Sequence, residues 1–218
     1  MTSFPTSPDA PVVYDGQFGP FEITDADRRE VVIYRAGLAL AAISFALGTG
    51  LLLVCGPTDR VLLGLSLLFG LFWLSLGVSL GYIHIYLRVL HRALQGFWLI
   101  GGVATVAIAH LDARPLALTV YQQPLTILGI GFTFAALTGI FFKEAFCFDR
   151  LETKLLTPLV PLLLLGHLSQ LLSVGVERGL LMAWAVLFAI FALRKVIQAI
   201  PPDIGDKSVF DYQAQQRA

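Results

Sequence analysis

Six long apolar segments constrain the fold of this chain more than any other feature. A helix needs about 20 mainly apolar residues to cross about 30 Å of hydrocarbon. A chain in lipid must also satisfy its own backbone hydrogen bonds, which favours helices. We therefore predict six transmembrane helices, at residues 34–54, 61–82, 94–111, 124–142, 155–174 and 179–193.

The composition and the short connections favour one all-α polytopic membrane bundle. Residues of the apolar class make up 56% of the chain and charged residues 14%, against about 25% charged residues in soluble domains. Short connections force neighbouring helices to be adjacent and antiparallel. We expect an extended N-terminal tail at 1–23, the six-helix domain at 24–200 and a second tail at 201–218.

The distribution of basic residues predicts the orientation in the membrane. All 15 Lys and Arg residues except Arg60, Arg114 and Arg178 fall on one side of the predicted bundle. The positive-inside rule makes that side cytoplasmic, so both termini are predicted to be cytoplasmic. Lys and Arg equal Asp and Glu in number, so the chain has no overall basic charge that would favour nucleic acid as a partner.

Two local signals refine the expected boundaries. Thr24, followed by acidic residues, predicts the start of a short helix at about Asp25 that merges with the first span. The second span is expected to extend as a helix towards Leu90. Every Asp, Glu, Lys and Arg is expected at a helix end or in a loop, because charges inside a membrane are costly.

His167 is the titratable residue predicted to lie midway along the fifth span. One hypothesis makes it an axial ligand of a tetrapyrrole, with Gly166 allowing a flat ring to approach, or a proton-relay group. The alternative is an interhelical hydrogen bond that stabilises the bundle, with Gln170 on the same face as a candidate partner.

His84 and His91 flank Arg88 at the predicted inner end of the second span. A spacing of seven places the two imidazoles on one helix face, but too far apart for one metal ion, which needs a spacing of three or four. They could serve as two separate ligands or as a pH-sensitive surface, or be ordinary interfacial polar residues. We expect no metal site and no catalytic residues.

The connection between the fourth and fifth spans is the most distinctive segment, FFKEAFCFDRLETK. Its aromatic and charged residues suggest a surface for docking a partner. An aromatic belt with anchoring charges is the structural alternative. A third possibility is that Lys143 activates Cys147, with His84 or His91 as its base. The predicted docking residues are Lys143, Glu144, Phe146, Cys147 and Phe148.

The same segment, with Pro158, Pro161 and His167 after it, resembles an uncharacterised family of integral membrane proteins from cyanobacteria and plastids. The resemblance covers about residues 18–202 and carries no established activity. It implies a thylakoid or plasma membrane location and a role near photosynthetic complexes.

Three functions are compatible with the sequence. The first is a non-enzymatic accessory or assembly factor, whose partners would be the lipid bilayer and a membrane protein complex. The second is a carrier or channel for a small solute. The third is a pigment- or haem-binding protein, or an intramembrane enzyme, built on His167, His84, His91 or Cys147.

Overall fold

The computed structural model describes residues 12–216, so residues 1–11 and 217–218 of the predicted tails lie outside it. The described chain forms a β-hairpin followed by helices. Its long helices are α1 (Asp25–Cys55), α2 (Asp59–Tyr82), α3 (Arg88–Leu111), α5 (Ile127–Phe148), α6 (Leu151–Leu168) and α7 (Val174–Ile197). Its short elements are β1 (Val13–Gly16), β2 (Gly19–Glu22), α4 (Leu116–Gln122), a 3₁₀ turn (Pro124–Thr126), α8 (Pro201–Ile204) and α9 (Ser208–Gln215).

The prediction of an all-α polytopic membrane bundle is confirmed. Six helices of the described region are long and apolar enough to cross a membrane. The expected start at Asp25 is also confirmed. The Thr24 side chain accepts from the Asp27 N–H, and the Asp27 carboxylate accepts from the Thr24 N–H at 2.7 Å. This capping box begins one uninterrupted helix.

Several predicted boundaries are wrong. Helix α3 begins at Arg88 and not at 94, and α7 begins at Val174 and not at 179. Helix α2 ends at Tyr82 and does not extend to Leu90, because the chain leaves the helix to bury Ile83 and Ile85 in the core. Helix α6 ends at Leu168, six residues before the predicted boundary. There Gln170 takes a left-handed conformation (φ 56°) that turns the chain into α7.

Helix packing in the bundle rests on aromatic side chains and on close backbone contacts. Helix α1 packs along α2 and α7, α3 along α5, and α6 along α5 and α7. At Gly37 an added Cβ would lie 2.7 Å from the Ser75 carbonyl oxygen, so α1 and α2 meet almost backbone to backbone. The largest fully buried side chains include Trp184, Tyr34, Phe72, Phe141, Phe188, Phe191 and Lys195.

The bundle has two distinct ends. We call the end that carries residues 12–35, 83–92, 143–154 and 194–216 the basic end, because most Lys and Arg residues lie there. Contacts such as Arg150 to Gln198 and Tyr86 to Asp206 join these segments. The opposite end carries residues 53–60, 110–126 and 167–178, joined by contacts such as Arg178 to the Leu53 carbonyl.

The expected extended tails are replaced by folded segments in the described residues. Strands β1 and β2 pair antiparallel, with Gly16 opposite Gly19 at the turn. The hairpin contacts the C-terminal segment, where the Gln17 N–H donates to Asp206 at 2.7 Å and Phe18 stacks on Tyr212. Both flanks of the chain therefore form one layer over the basic end.

Candidate functional site

Five charged side chains form a buried cluster at the basic end, which we call the ionic cluster. Its centre is Lys195 of α7, whose Nζ lies 2.5 Å from Glu144 Oε2 and also pairs with Asp203. Lys143 Nζ lies 2.9 Å from the other oxygen of Glu144. The side chains of Lys195 and Glu144 are both 0% exposed. The five members are Arg35, Lys143, Glu144, Lys195 and Asp203.

Arg35 connects α1 to the chain that follows α7. Its Nε donates to Asp203 Oδ2 at 2.8 Å, and its two terminal nitrogens donate to the carbonyl oxygens of Gln198 at 2.6 Å and Ala199 at 2.8 Å. The planar guanidinium suits such a divergent set of acceptors. Arg35 thereby holds α8, which carries Asp203, against the bundle.

The members of the cluster lie at the ends of predicted spans or in connections, as expected, but they are buried. Lys143, Glu144 and Lys195 do fall in the last turns of α5 and α7, but α8 and the C-terminal segment fold back over them. Burial of charge is tolerated because each charge meets an opposite one. Tyr34 completes the site, since its hydroxyl donates to Glu144 Oε1 at 3.2 Å.

The predicted docking residues separate into two groups. Lys143 and Glu144 turn inward to the ionic cluster, and Phe148 is half-buried with Lys195 Nζ 4.2 Å from its ring centroid. Phe146 and Cys147 face outward, and Phe146 is 84% exposed. Only these two residues of the predicted set are available to a partner.

An apolar groove adjoins Phe146 where α5 passes into α6. It has a volume of about 390 Å³ and is lined by Phe142, Phe146, Thr157 and Pro158, with Asp149 and Lys154 at its edge. Asp149 forms an ion pair with Lys154. The left-handed backbone at Asp149 (φ 52°) makes the sharp turn between the two helices. The groove therefore joins an apolar floor to a charged edge.

His167 lies near the end of α6, at the opposite end of the bundle and not midway along the span. Its Nδ1 lies 2.7 Å from Glu177 Oε1, and its ring stacks on Tyr121. The Nε2 atom is enclosed by protein and has no hydrogen-bond partner among the described residues. A tetrapyrrole needs an open face above the ligating nitrogen, so this arrangement does not fit one. Glu177, not Gln170, holds the imidazole.

The structure does not assemble the hypothetical Cys147 nucleophile. Lys143, its expected activator, is committed to Glu144. His84 Nε2 lies 3.4 Å from Glu30, and His91 Nε2 donates to the Leu80 carbonyl oxygen at 2.6 Å. Among the described residues, no group of three or more His, Cys, Asp or Glu side chains could hold a metal ion.

Six helices of the described region that are long and apolar enough to span a membrane define the class as a polytopic helical integral membrane protein. Comparison with known families then identifies the chain more closely. The family model described as uncharacterized integral membrane protein (DUF2301) matches residues 78–212, more than half of the chain, and the protein belongs to that family. No curated protein and no solved structure matches it. The predicted membership of a membrane family of unknown function is thus confirmed.

Proposed function

We propose that this protein is a non-enzymatic accessory or assembly factor that docks a partner membrane protein at its basic end. One observation carries the proposal: a large exposed aromatic side chain stands on a rigidly braced surface. Phe146 is 84% exposed, yet it lies two residues from Glu144, which is fixed by Lys143, Lys195 and Tyr34. Aromatic anchors held on rigid elements are typical of interface hot spots.

The surroundings of Phe146 suggest the chemistry of the partner. The groove beside it offers an apolar floor, and Lys154 and Asp149 at its edge offer both signs of charge. A helix end of another membrane protein, with apolar side chains facing the floor and polar side chains facing the edge, would match this surface. The excess of Lys and Arg at this end supports a cytoplasmic location for the docking surface, by the positive-inside rule.

The test compares the size of the native assembly for two matched variants. Tagged wild type, Phe146→Ala and Leu171→Ala are extracted from the native membrane in mild detergent and separated by native electrophoresis. Leu171 is the control because it is 83% exposed at the opposite end. We expect Phe146→Ala to move most of the protein from a large complex to the free form, and Leu171→Ala to leave the complex intact. Wild type that migrates alone would overturn the proposal.

A small-solute carrier is the second candidate, and the ionic cluster is the observation that favours it. Ionisable residues within membrane spans often mark transport pathways, and Glu144 and Lys195 lie within α5 and α7. Lys195 is nevertheless paired with two carboxylates. Such fixed pairing suits a structural role better than the transfer of a proton or a solute. Flux into proteoliposomes that is lost in Glu144→Gln would support transport over docking.

The proposal also includes the identity of the membrane in which the protein lies. The resemblance to cyanobacterial and plastid proteins supports a thylakoid or plasma membrane location, and with it a photosynthetic complex as the partner. Fractionation of native membranes tests this point directly. Enrichment in a membrane without photosynthetic complexes would remove that part of the proposal and leave the docking surface in place.

A further inference from the structure

A second cavity lies where α2 passes into α3, at the basic end of the bundle. Its volume is about 450 Å³, within the usual range of ligand pockets, about 300–1,000 Å³. The non-helical turn at 83–87 opens it, and Phe210 of α9 closes one side. The polar side chains that line it are Glu30, His84, Arg88, His91, Arg92 and Gln95.

The charges of this cavity favour an anion. Arg88 and Arg92 both line it, and neither forms an ion pair with any side chain that the structure describes. Arg88 is the first residue of α3, whose preceding residue, Leu87, provides no side-chain cap. The free N–H groups of that first turn therefore add a partial positive charge at the same place.

The cavity also contains one carboxylate and one backbone acceptor. Glu30 is its carboxylate, and its Oε2 lies 3.4 Å from His84 Nε2. The Leu80 carbonyl oxygen, near the end of α2, accepts from His91 at 2.6 Å and from Gln95 at 3.3 Å. Burial lowers the pKa of His84 although Glu30 opposes the shift, which disfavours the charged imidazolium. The available positive charge is that of the two arginines.

Exposed apolar side chains flank Arg88 in the chain and end α2, and we call them the apolar rim. Leu87 and Val89, on either side of Arg88, are well exposed, as is Tyr82 at the end of α2. These residues end the apolar part of two spans, which is the depth of lipid headgroups. A ligand with an anionic head and an apolar tail would use both the arginines and this rim.

We propose that this cavity binds a phosphate group, either of an anionic lipid headgroup or of a soluble phosphate ester. Arginine guanidinium groups bind phosphate oxygens through paired, charge-assisted hydrogen bonds. A helix N-terminus supplies further donors to the same group. The apolar rim favours the lipid as the source of the phosphate. The site is independent of the docking surface, because the two share no lining residue.

Lipid retention measured by native mass spectrometry tests the proposal. The probes are phosphatidylglycerol and phosphatidylcholine, offered to detergent-purified protein, and inorganic phosphate, scored by the thermal unfolding midpoint. The variant is Arg88→Gln/Arg92→Gln, and Arg29→Gln is the control because Arg29 is exposed at the same end and does not line the cavity. Arg92 is exposed, so the single variant Arg92→Gln is used if the double variant does not fold.

The outcomes separate the two sources of phosphate. A lipid headgroup is supported if wild type prefers phosphatidylglycerol over phosphatidylcholine and Arg29→Gln keeps this preference. The preference should then fall roughly tenfold for each arginine removed. A soluble ester is supported if inorganic phosphate raises the unfolding midpoint of wild type, the arginine variants lose this effect, and wild type shows no lipid preference. Equal lipid retention in wild type and variants, with no effect of phosphate, would overturn the proposal.

Discussion

Lys195 of α7 and Glu144 of α5 form a fully buried ion pair, with Nζ 2.5 Å from Oε2. Because Lys143 pairs with Glu144, Glu144→Gln leaves the Lys143 ammonium without that carboxylate. Lys195 then keeps only Asp203, which also pairs with Arg35. Breaking a buried pair on one side costs about 3–5 kcal/mol, and we expect a loss of that order in the free energy of unfolding. Thermal unfolding in detergent measures it.

Two further variants test whether this loss comes from uncompensated charge. Glu22→Gln alters an exposed carboxylate of the hairpin and should be nearly neutral. Adding Lys143→Met to Glu144→Gln removes one unpaired charge, so the double variant should be more stable than the sum of the single effects predicts. Strict additivity would show that Lys143 and Glu144 are not coupled.

The pH dependence of stability follows from Asp206, which ties the hairpin to the C-terminal segment. The Gln17 N–H donates to its carboxylate at 2.7 Å and the Ser208 hydroxyl at 2.6 Å, which holds the pKa of Asp206 below its usual 3.8. The contribution of these bonds is therefore complete above about pH 5 and is lost as the pH falls through the lowered value.

Asp206→Asn isolates this contribution. The difference in unfolding midpoint between wild type and Asp206→Asn should be largest above pH 5 and should shrink as the pH falls from 4 to 3. A difference that stays constant down to pH 3 would mean that ionised Asp206 does not stabilise the layer formed by the two flanks of the chain.

The spans could be predicted from the sequence because their signal is local. An apolar run of membrane length is visible without any knowledge of its neighbours, and so is the cap at Thr24. The end of α2 could not be predicted, because Ile83 and Ile85 continue the apolar pattern but are buried in a non-helical turn. Periodicity cannot distinguish these two uses of the same residues.

The ionic cluster was missed for a different reason. Arg35, Lys195 and Asp203 are 8 to 168 positions apart in the sequence, and only the folding back of α8 unites them. A position at a helix end does not by itself show whether a charge is solvated or buried. Pro201 and Pro202 mark a break after α7, but the direction in which the chain then turns depends on its contacts with Arg35 and Lys195. His167 was misplaced because the end of α6 depends on the turn at Gln170.

The contact between α1 and α2 predicts a position-specific effect of adding one methyl group. In Gly37→Ala the new Cβ would lie 2.7 Å from the Ser75 carbonyl oxygen and 3.0 Å from the Ser79 nitrogen. The helices must separate, and overpacking of this kind costs about 1–3 kcal/mol. Gly64→Ala is the matched control, since nothing lies within 4 Å of its Cβ position. Equal unfolding midpoints for the two variants would contradict this packing.

The two free cysteines test the predicted orientation. Cys55 and Cys147 are both exposed and lie at opposite ends of the bundle. In the variant Cys147→Ser only Cys55 remains, and a membrane-impermeant maleimide should label it in intact cells or right-side-out vesicles. In Cys55→Ser only Cys147 remains, and the same reagent should label it only after the membrane is opened. The reverse pattern would place the basic end and both termini outside.

Cross-linking from Cys147 in native membranes tests the proposed docking function most directly. Cys147 adjoins Phe146 on the outward face of α5, so a photoactivatable maleimide attached there, in a Cys55→Ser background, lies at the docking surface. We predict one discrete cross-linked species with a membrane protein. This species should disappear in Phe146→Ala, and it should not form when the reagent is attached to Cys55 in a Cys147→Ser background. Cross-links to lipid alone, or the same products from both cysteines, would contradict docking at the basic end.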